Sequence, residues 1–253
     1  MTMRGLAVLG FLALMSIGAF WQPHDPDTID LANRFAPISM THWLGGDHLG
    51  RDLFSRLLVG GWRSAVVIVT VSCVALSGGC LLGAMATLIG GWGEAMILRA
   101  AETSIVIPTL VVALTAAAIF GLRPVTAGLA LGLAGVGPYT LLIHALARRI
   151  MAEPYVQSAR ALGVRGPPLL RRHVLPNLLP VVFTHVGSNA GLAVTAYAAL
   201  AFLGLGADPS RPDWGGMLFE YRMFLFDHPM LLVWPGLAIA AAASLLNLWF
   251  DEE

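Results

Sequence analysis

Long uncharged stretches dominate the chain, and they fall into six runs, at 5–21, 64–93, 103–122, 124–147, 174–207 and 229–250. A bilayer core takes about 20 apolar residues per helix. The pattern therefore predicts an all-α, polytopic membrane protein of about six transmembrane helices in a single domain. The first run is slightly short. The second and fifth exceed one span, so each is expected to include a re-entrant, tilted or interfacial part. Turns are expected at Gly90-Gly91-Trp92-Gly93-Glu94 and at Arg123-Pro124. The resulting layout is a first span (5–21), a segment 22–63, three spans within 64–147, a loop 148–176, a span 177–207, a loop 208–228 and a last span 229–250.

The loop 148–176 is a polar island between apolar runs. Arg148, Arg149, Arg160, Arg165, Arg171 and Arg172 fall in or beside it, against one acid, Glu153. Its own pattern predicts a short helix from Tyr155 to Leu162, a break at Gly163, and a second short helix from Leu169 to Leu175 stopped by Pro176. By the positive-inside rule this island is cytoplasmic. Counting back through the spans then puts Arg4 and the N-terminus in the cytoplasm. Segments 22–63 and 208–228 fall outside, the first carrying Asp25, Asp27, Asp30, Asp47 and Asp52, the second Asp208, Asp213, Glu220 and Asp227. The tail Asp251-Glu252-Glu253 is cytoplasmic in this layout, and Trp21, Trp62, Trp92, Trp234 and Trp249 sit near run ends as interfacial anchors do. A second reading of run 5–21 is a cleaved signal peptide, with a basic residue, an apolar core and small residues at Ser16 and Gly18.

Composition agrees with the pattern. The chain is 57% hydrophobic and 12% charged, against about a quarter charged in a soluble domain. Its net charge is zero, and no basic aromatic patch suggests nucleic acid. The cysteines, Cys73 and Cys80, share one apolar run and read as buried small hydrophobes, not a disulfide or metal pair. Gly79/Gly83, Gly128/Gly132 and Gly187/Gly191 are G-x-x-x-G pairs, a spacing that lets helix backbones approach closely in lipid.

Candidate chemistry is sparse. Every cationic side chain is Arg, so a phosphate-binding P-loop, which needs Lys, is impossible, and the chain is not itself a P-loop ATPase. No zinc-protease or nucleophile-elbow motif occurs. The runs carry no central carboxylate, which argues against a proton relay or an ion-coupled carrier. His42, Asp47 and His48 invite a metal reading, but they match no known ligand spacing and read more simply as polar residues of a loop. His144 and His185 lie inside spans, where a pathway role and a hydrogen-bonded packing role both remain open. A self-sufficient channel or secondary carrier is the rival class, and an intramembrane enzyme the second rival; neither finds its gate, coupling-ion site or catalytic constellation here.

The island resembles the EAA loop of ABC importer permeases. Gln157-Ser158-Ala159 occupies the triplet, Gly163 the glycine and Leu175-Pro176 the closing pair, with Gln and Ser departing at the first two triplet positions. His42 to Leu57, HWLGGDHLGRDLFSRL, is similar to the signature of the peptide/nickel importer permeases. Ala201-Phe202-Leu203-Gly204-Leu205-Gly206 followed by Trp214-Gly215 is similar to their second signature, and Pro235-Gly236-Leu237-Ala238 and Asn247-Leu248 extend the match to the end.

The resemblance implies a membrane-spanning permease subunit of an ATP-driven importer in a bacterial inner membrane, with no catalytic residue and no cofactor or metal of its own. It implies a homologous second permease, two cytoplasmic ATPase subunits that bind ATP and Mg, and an external solute-binding protein. Within this family the entry segment around Asp25, Asp30 and Arg34 puts nickel or a metal chelate ahead of di- or oligopeptides. Carried residue by residue, it assigns Glu153, Tyr155, Gln157, Ser158, Ala159, Arg160, Ala161, Gly163, Leu175 and Pro176 to an ATPase-docking coupling loop. It assigns Asp47, His48, Arg51, Asp52, Asp213 and Trp214 to a segment facing the binding protein.

Overall fold

The computed structural model describes residues 10–205 and 211–250, and the described chain is helical with no strand beyond one isolated bridge between Gly46 and Asp52. Arg4, the start of the first run, Gly206, Asp208 and the acidic tail lie outside the described residues. The helices are α1 (Gly10–Ala19), α2 (Leu53–Ile89), α3 (Gly91–Val106), α4 (Thr109–Phe120), α5 (Pro124–Met151), α6 (Pro154–Ala161), α7 (Leu175–Phe202), α8 (Trp214–Tyr221) and α9 (Met230–Phe250). Among the described residues three helices, α2, α5 and α9, are each long and apolar enough to cross a bilayer, and the number rises to five if each of two bent pairs is one span. The first expected span is represented by the short α1.

Two elements differ from the sequence-based expectation. The helix read from residue 64 starts at Leu53, because Asp52 caps it by accepting from the Ser55 amide and because Arg56 and Arg63 lie on it as helical residues. Its 37 residues span about 55 Å, well beyond a hydrocarbon core, so one end projects from the bilayer. The run 103–122 is no single span. It breaks at Ile107-Pro108, where α3 and α4 meet at 78°. Proline forces the residue before it out of the helical region, and Ile107 is extended (φ −77°, ψ 118°).

Three smaller corrections follow. The turn expected over 90–94 is confined to Gly90 and Gly91, both at positive φ, with Trp92 to Glu94 already in α3. Pro176 stops nothing. A one-turn π segment, Leu170–Val174, runs directly into α7, and Pro176 falls in its first turn, where a missing N–H costs no helical bond. Cys73 is exposed and Cys80 only part-buried; both are free.

The centre of the bundle is the α2/α5 pair. Small residues on both helices let the backbones touch: a Cβ on Gly79 would lie 2.3 Å from that of Tyr139, and one on Gly128 would lie 2.6 Å from that of Thr70. Two of the three G-x-x-x-G pairs thus find their partner within this chain, and Gly191 of the third faces Ala243 and Asn247 of α9. Contacts advance together along α2 and α5, from Thr70 with Gly128 to Thr87 with His144. The two helices are therefore parallel, and α3 and α4 must carry the chain back between them. His144 is a packing histidine, within hydrogen-bonding distance of Thr87 Oγ1 (3.1 Å) and Glu94 Oε1 (3.0 Å).

This arrangement gives the bundle two ends. The start of α2, segment 22–52 and α8 meet at one, here called the platform. The ends of α2 and α5 meet α6 at the other.

Candidate functional sites at the two ends of the bundle

At the platform the signature residues fold inward. Asp47 is fully buried. One of its oxygens accepts from the Leu49 and Arg51 amides (2.8 and 2.9 Å), the other from Arg51 Nε (2.7 Å) and the Tyr221 hydroxyl (3.1 Å). Arg51 also reaches Glu220 of α8. Arg56, 1% exposed, donates to the Pro26 carbonyl (3.2 Å), the Tyr221 hydroxyl (3.1 Å) and Glu220 (2.9 Å). Two guanidiniums therefore interleave with two carboxylates and one phenol, which is how buried charge is tolerated. Asp52 accepts from the Ser55 amide and hydroxyl and pairs with His42 Nδ1 at 3.0 Å. Asp213 caps α8 through the Gly216 amide, and Trp214 donates its indole N–H to the Leu57 carbonyl (2.9 Å).

The electrostatics follow the burial. Burial lowers the His48 pKa, with Asp47 and Glu220 offsetting part of the effect. Burial also pushes Arg51 down, but Asp47 and Glu220 more than offset it and the net shift is up. Asp213 is raised by burial against the Gly216 amide, and Tyr221 is raised strongly for the same reason.

Of the six residues assigned to face a binding protein, Asp47, Arg51, Asp52, Asp213 and Trp214 are buried and His48 is part-buried. They hold the platform together from within. What it exposes is their neighbours, including Ile29, Leu31, Ile38, Met40 and Trp43. The sequence reading missed Tyr221 and Glu220, which close the network from roughly the far end of the chain, and Arg56, which lay inside the quoted signature.

The opposite end is built differently. Helix α6 starts with Pro154 at its first position and ends in a Schellman motif. Gly163 sits at φ +90°, its N–H bonds the Arg160 carbonyl (3.0 Å) and the Val164 N–H bonds the Ala159 carbonyl (3.1 Å). The break expected at Gly163 is present, and its cause is the left-handed conformation that glycine tolerates. Val156 is buried, whereas Glu153, Tyr155, Gln157, Ser158, Arg160, Ala161, Leu162 and Gly163 are exposed and Ala159 is part-buried. Three ties hold α6 to the long helices. Gln157 donates to the Met151 carbonyl of α5 (2.8 Å), the Tyr155 hydroxyl donates to the His173 carbonyl (3.4 Å), and Asn177 of α7 donates to the Tyr155 hydroxyl (3.0 Å). Leu175 is part-buried and Pro176 exposed at the base of α7. A cleft of about 600 Å³ opens beside α6, with Gln157, Arg160, Arg165, Thr87 and Leu170 among its walls.

Comparisons with known proteins identify the family. Residues 79–251 match the family of binding-protein-dependent transport system inner membrane components. The chain is 34% identical over 252 residues to the probable D,D-dipeptide transport system permease protein DdpC of Escherichia coli K12, covering 99% of this chain and 85% of the relative. It is 30% identical over 248 residues to the glutathione transport system permease protein GsiD of Pectobacterium atrosepticum (98% and 82%). It is 28% identical over 247 residues to the nickel transport system permease protein NikC of Escherichia coli K12 (97% and 89%). The chain belongs to this family of inner-membrane permeases, in the peptide/nickel group of ABC importers.

Proposed function

We propose that the chain forms half of the translocation pathway of an ATP-driven importer, taking a short peptide delivered by an external binding protein. A homologous second permease supplies the other half. Two ATPase subunits, which bind ATP and Mg, dock on the α6 loop. The observation that carries this reading is α6 itself: a short exposed helix, started by Pro154, closed by the Gly163 turn and tied to the end of α5 and the start of α7. A push on such an element moves as a rigid body and passes into the helices that run to the platform, which is what alternating access requires.

The orientation rests on charge. The six arginines of the α6 end lie within one short loop, whereas the six of the platform (Arg34, Arg51, Arg56, Arg63, Arg211 and Arg222) are spread over two longer segments with Arg51 and Arg56 buried. On this clustering we take the α6 end as cytoplasmic and the platform as external. Single cysteines in a Cys73→Ser/Cys80→Ser background test it. A label at Asp30 reacts with an impermeant reagent from outside, and one at Arg165 only after the membrane is opened. The reverse pattern overturns the orientation.

For the substrate, resemblance of the entry segment puts nickel first, whereas two of the three relatives are named for peptides. Two named for peptides, the D,D-dipeptide and glutathione permeases, stand at 34% and 30% identity, and the nickel permease at 28%. We therefore favour a short peptide and keep nickel as the second reading. Uptake of labelled dipeptides and of radionickel in a deletion strain, with and without the restored chain, decides. Peptide uptake that depends on the chain supports the first reading; chain-dependent nickel uptake with unchanged peptide uptake replaces it.

A further inference from the structure

We propose that His24, His42 and Asp52 form a binding site on the platform for one divalent transition-metal ion of the zinc, cobalt or nickel class. Their ligand atoms, one from each side chain, all lie within 4.8 Å of one another. His42 Nδ1 is 3.0 Å from one Asp52 oxygen, and His24 Nδ1 is 3.8 Å from the other. A tetrahedral ion with bonds of about 2.0–2.1 Å sets its ligand atoms about 3.3 Å apart, between those two separations. Two imidazoles and a carboxylate suit borderline divalent ions better than calcium or magnesium, which prefer oxygen alone.

A second observation points the same way. His24 Nδ1 is buried and has no hydrogen-bond partner among the described residues, although it faces a carboxylate and a second imidazole. Buried polar atoms are ordinarily satisfied, and an ion on this nitrogen would satisfy it. The rings of His24 and His42 stack at 4.6 Å and 27°, an arrangement that two imidazolium cations would oppose and that a shared metal, which takes both neutral, allows.

The support around the ligands is already in place. The Ser55 hydroxyl donates to Asp52 (2.7 Å) and accepts from the His24 amide (3.1 Å), so one side chain fixes both ligand-bearing segments. The hydrogen-bond partners of Asp52 on the α2 side are this neutral hydroxyl and the Ser55 amide. The neighbouring group Asp47, His48 and Glu220 is equally compact, but Arg51 and Arg56 bind its carboxylates and would repel a cation. His24 is 40% exposed, which lets the ring turn to close the site and leaves a coordination position for water. The site does not depend on what the importer carries.

The test is a titration of the full-length chain, purified without a polyhistidine tag, with Co²⁺ as the probe. One Co²⁺ per chain with a tetrahedral visible spectrum, displaced by Zn²⁺, is expected. His24→Phe should weaken it at least about tenfold. His42→Gln, which retains a donor for Asp52 and so the fold, should do the same, while His228→Gln leaves it unchanged. Absence of stoichiometric Co²⁺ binding by the natural chain overturns the site. So does binding that survives both His24→Phe and His42→Gln.

Discussion

Arg56 on the platform and Arg160 on α6 are the same side chain in opposite circumstances. Arg56 is buried between Glu220, Tyr221 and the Pro26 carbonyl, and it joins three separate stretches of chain. Arg160 is exposed on a short helix whose neighbours Arg165, Arg171 and Arg172 are exposed too. At one end charge is used up in holding the fold together. At the other it is presented to whatever lies beyond the chain. The difference teaches that this chain keeps its buried, paired charge at the platform and its exposed charge at the loop, with the parallel α2/α5 pair connecting them. Mutations at the two ends should therefore fail in different ways.

The largest effect is expected at Arg56. Arg56→Ala leaves Asp47 and Glu220 with Arg51 as their one remaining buried counter-charge and takes a donor from the Tyr221 hydroxyl and the Pro26 carbonyl. Removing one partner of a buried ion pair costs about 3–5 kcal/mol. The thermal midpoint of the detergent-purified chain should drop steeply, or folded protein should fail to accumulate. Arg171→Ala should change stability by no more than about 0.5 kcal/mol, as exposed substitutions do. Equal losses from the two changes would erase the contrast between the ends.

Gly163→Val strikes the loop. An added Cβ meets nothing within 4 Å, so no clash arises, but φ of +90° strains a β-branched residue by about 1–3 kcal/mol. The cost falls on the Schellman turn and displaces α6. The subunit should still insert and pair with a second permease, while uptake collapses and the ATPase either dissociates or turns over without transport. Normal uptake together with normal ATPase co-purification would reduce 148–176 to a basic surface loop.

Why one end was legible in the sequence and the other only in part follows from range. The α6 loop is local: Pro154 and Gly163 specify helix and break within a few residues. The long apolar runs gave the all-α, multi-span class for the same reason. Hydropathy is blind to φ, however, so Pro108 was passed over inside an apolar run although it bends the crossing by 78°. The platform residues were found by their motif but were turned the wrong way. Charges clustered in a loop read as solvent-facing unless their partners are visible, and Glu220 and Tyr221 stand more than 160 positions away from Arg56. The same blindness grouped His42 with Asp47 and His48, where the fold sets it beside His24.

A gentler change at the loop sharpens the lever idea. Tyr155→Phe removes the hydroxyl that links α6 to His173 and Asn177, a net loss of about 0.5–1.5 kcal/mol. The ATPase should still bind, because the exposed face of α6 is intact. Transport per ATP hydrolysed should fall, since the push reaches α7 less faithfully. Unchanged transport per ATP would show that Gln157 and the chain connection alone carry the movement.

The smallest expected effect lies at His48, and it probes the platform without breaking it. Burial holds its pKa below the ordinary value of 6.5, so the folded state favours the neutral ring more than the unfolded chain does. The sign follows: the stabilising contribution is fully present above 6.5 and is lost as pH falls through the lower folded value. Asp213 behaves oppositely, since its raised pKa makes its contribution greatest below 3.8 and lost as pH rises through the folded value. Between neutrality and about pH 5, His48 should therefore make the platform less stable on acidification. His48→Gln removes that titration while keeping a polar side chain near Glu220. Thermal midpoints of both proteins, measured across this interval, should show a shallower acid slope for the glutamine variant. The two proteins differ at this one side chain, so the difference in slope belongs to His48. Identical slopes would mean that the ring is as well solvated in the fold as in the unfolded chain, and that the platform is looser around Glu220 than its buried arginines imply.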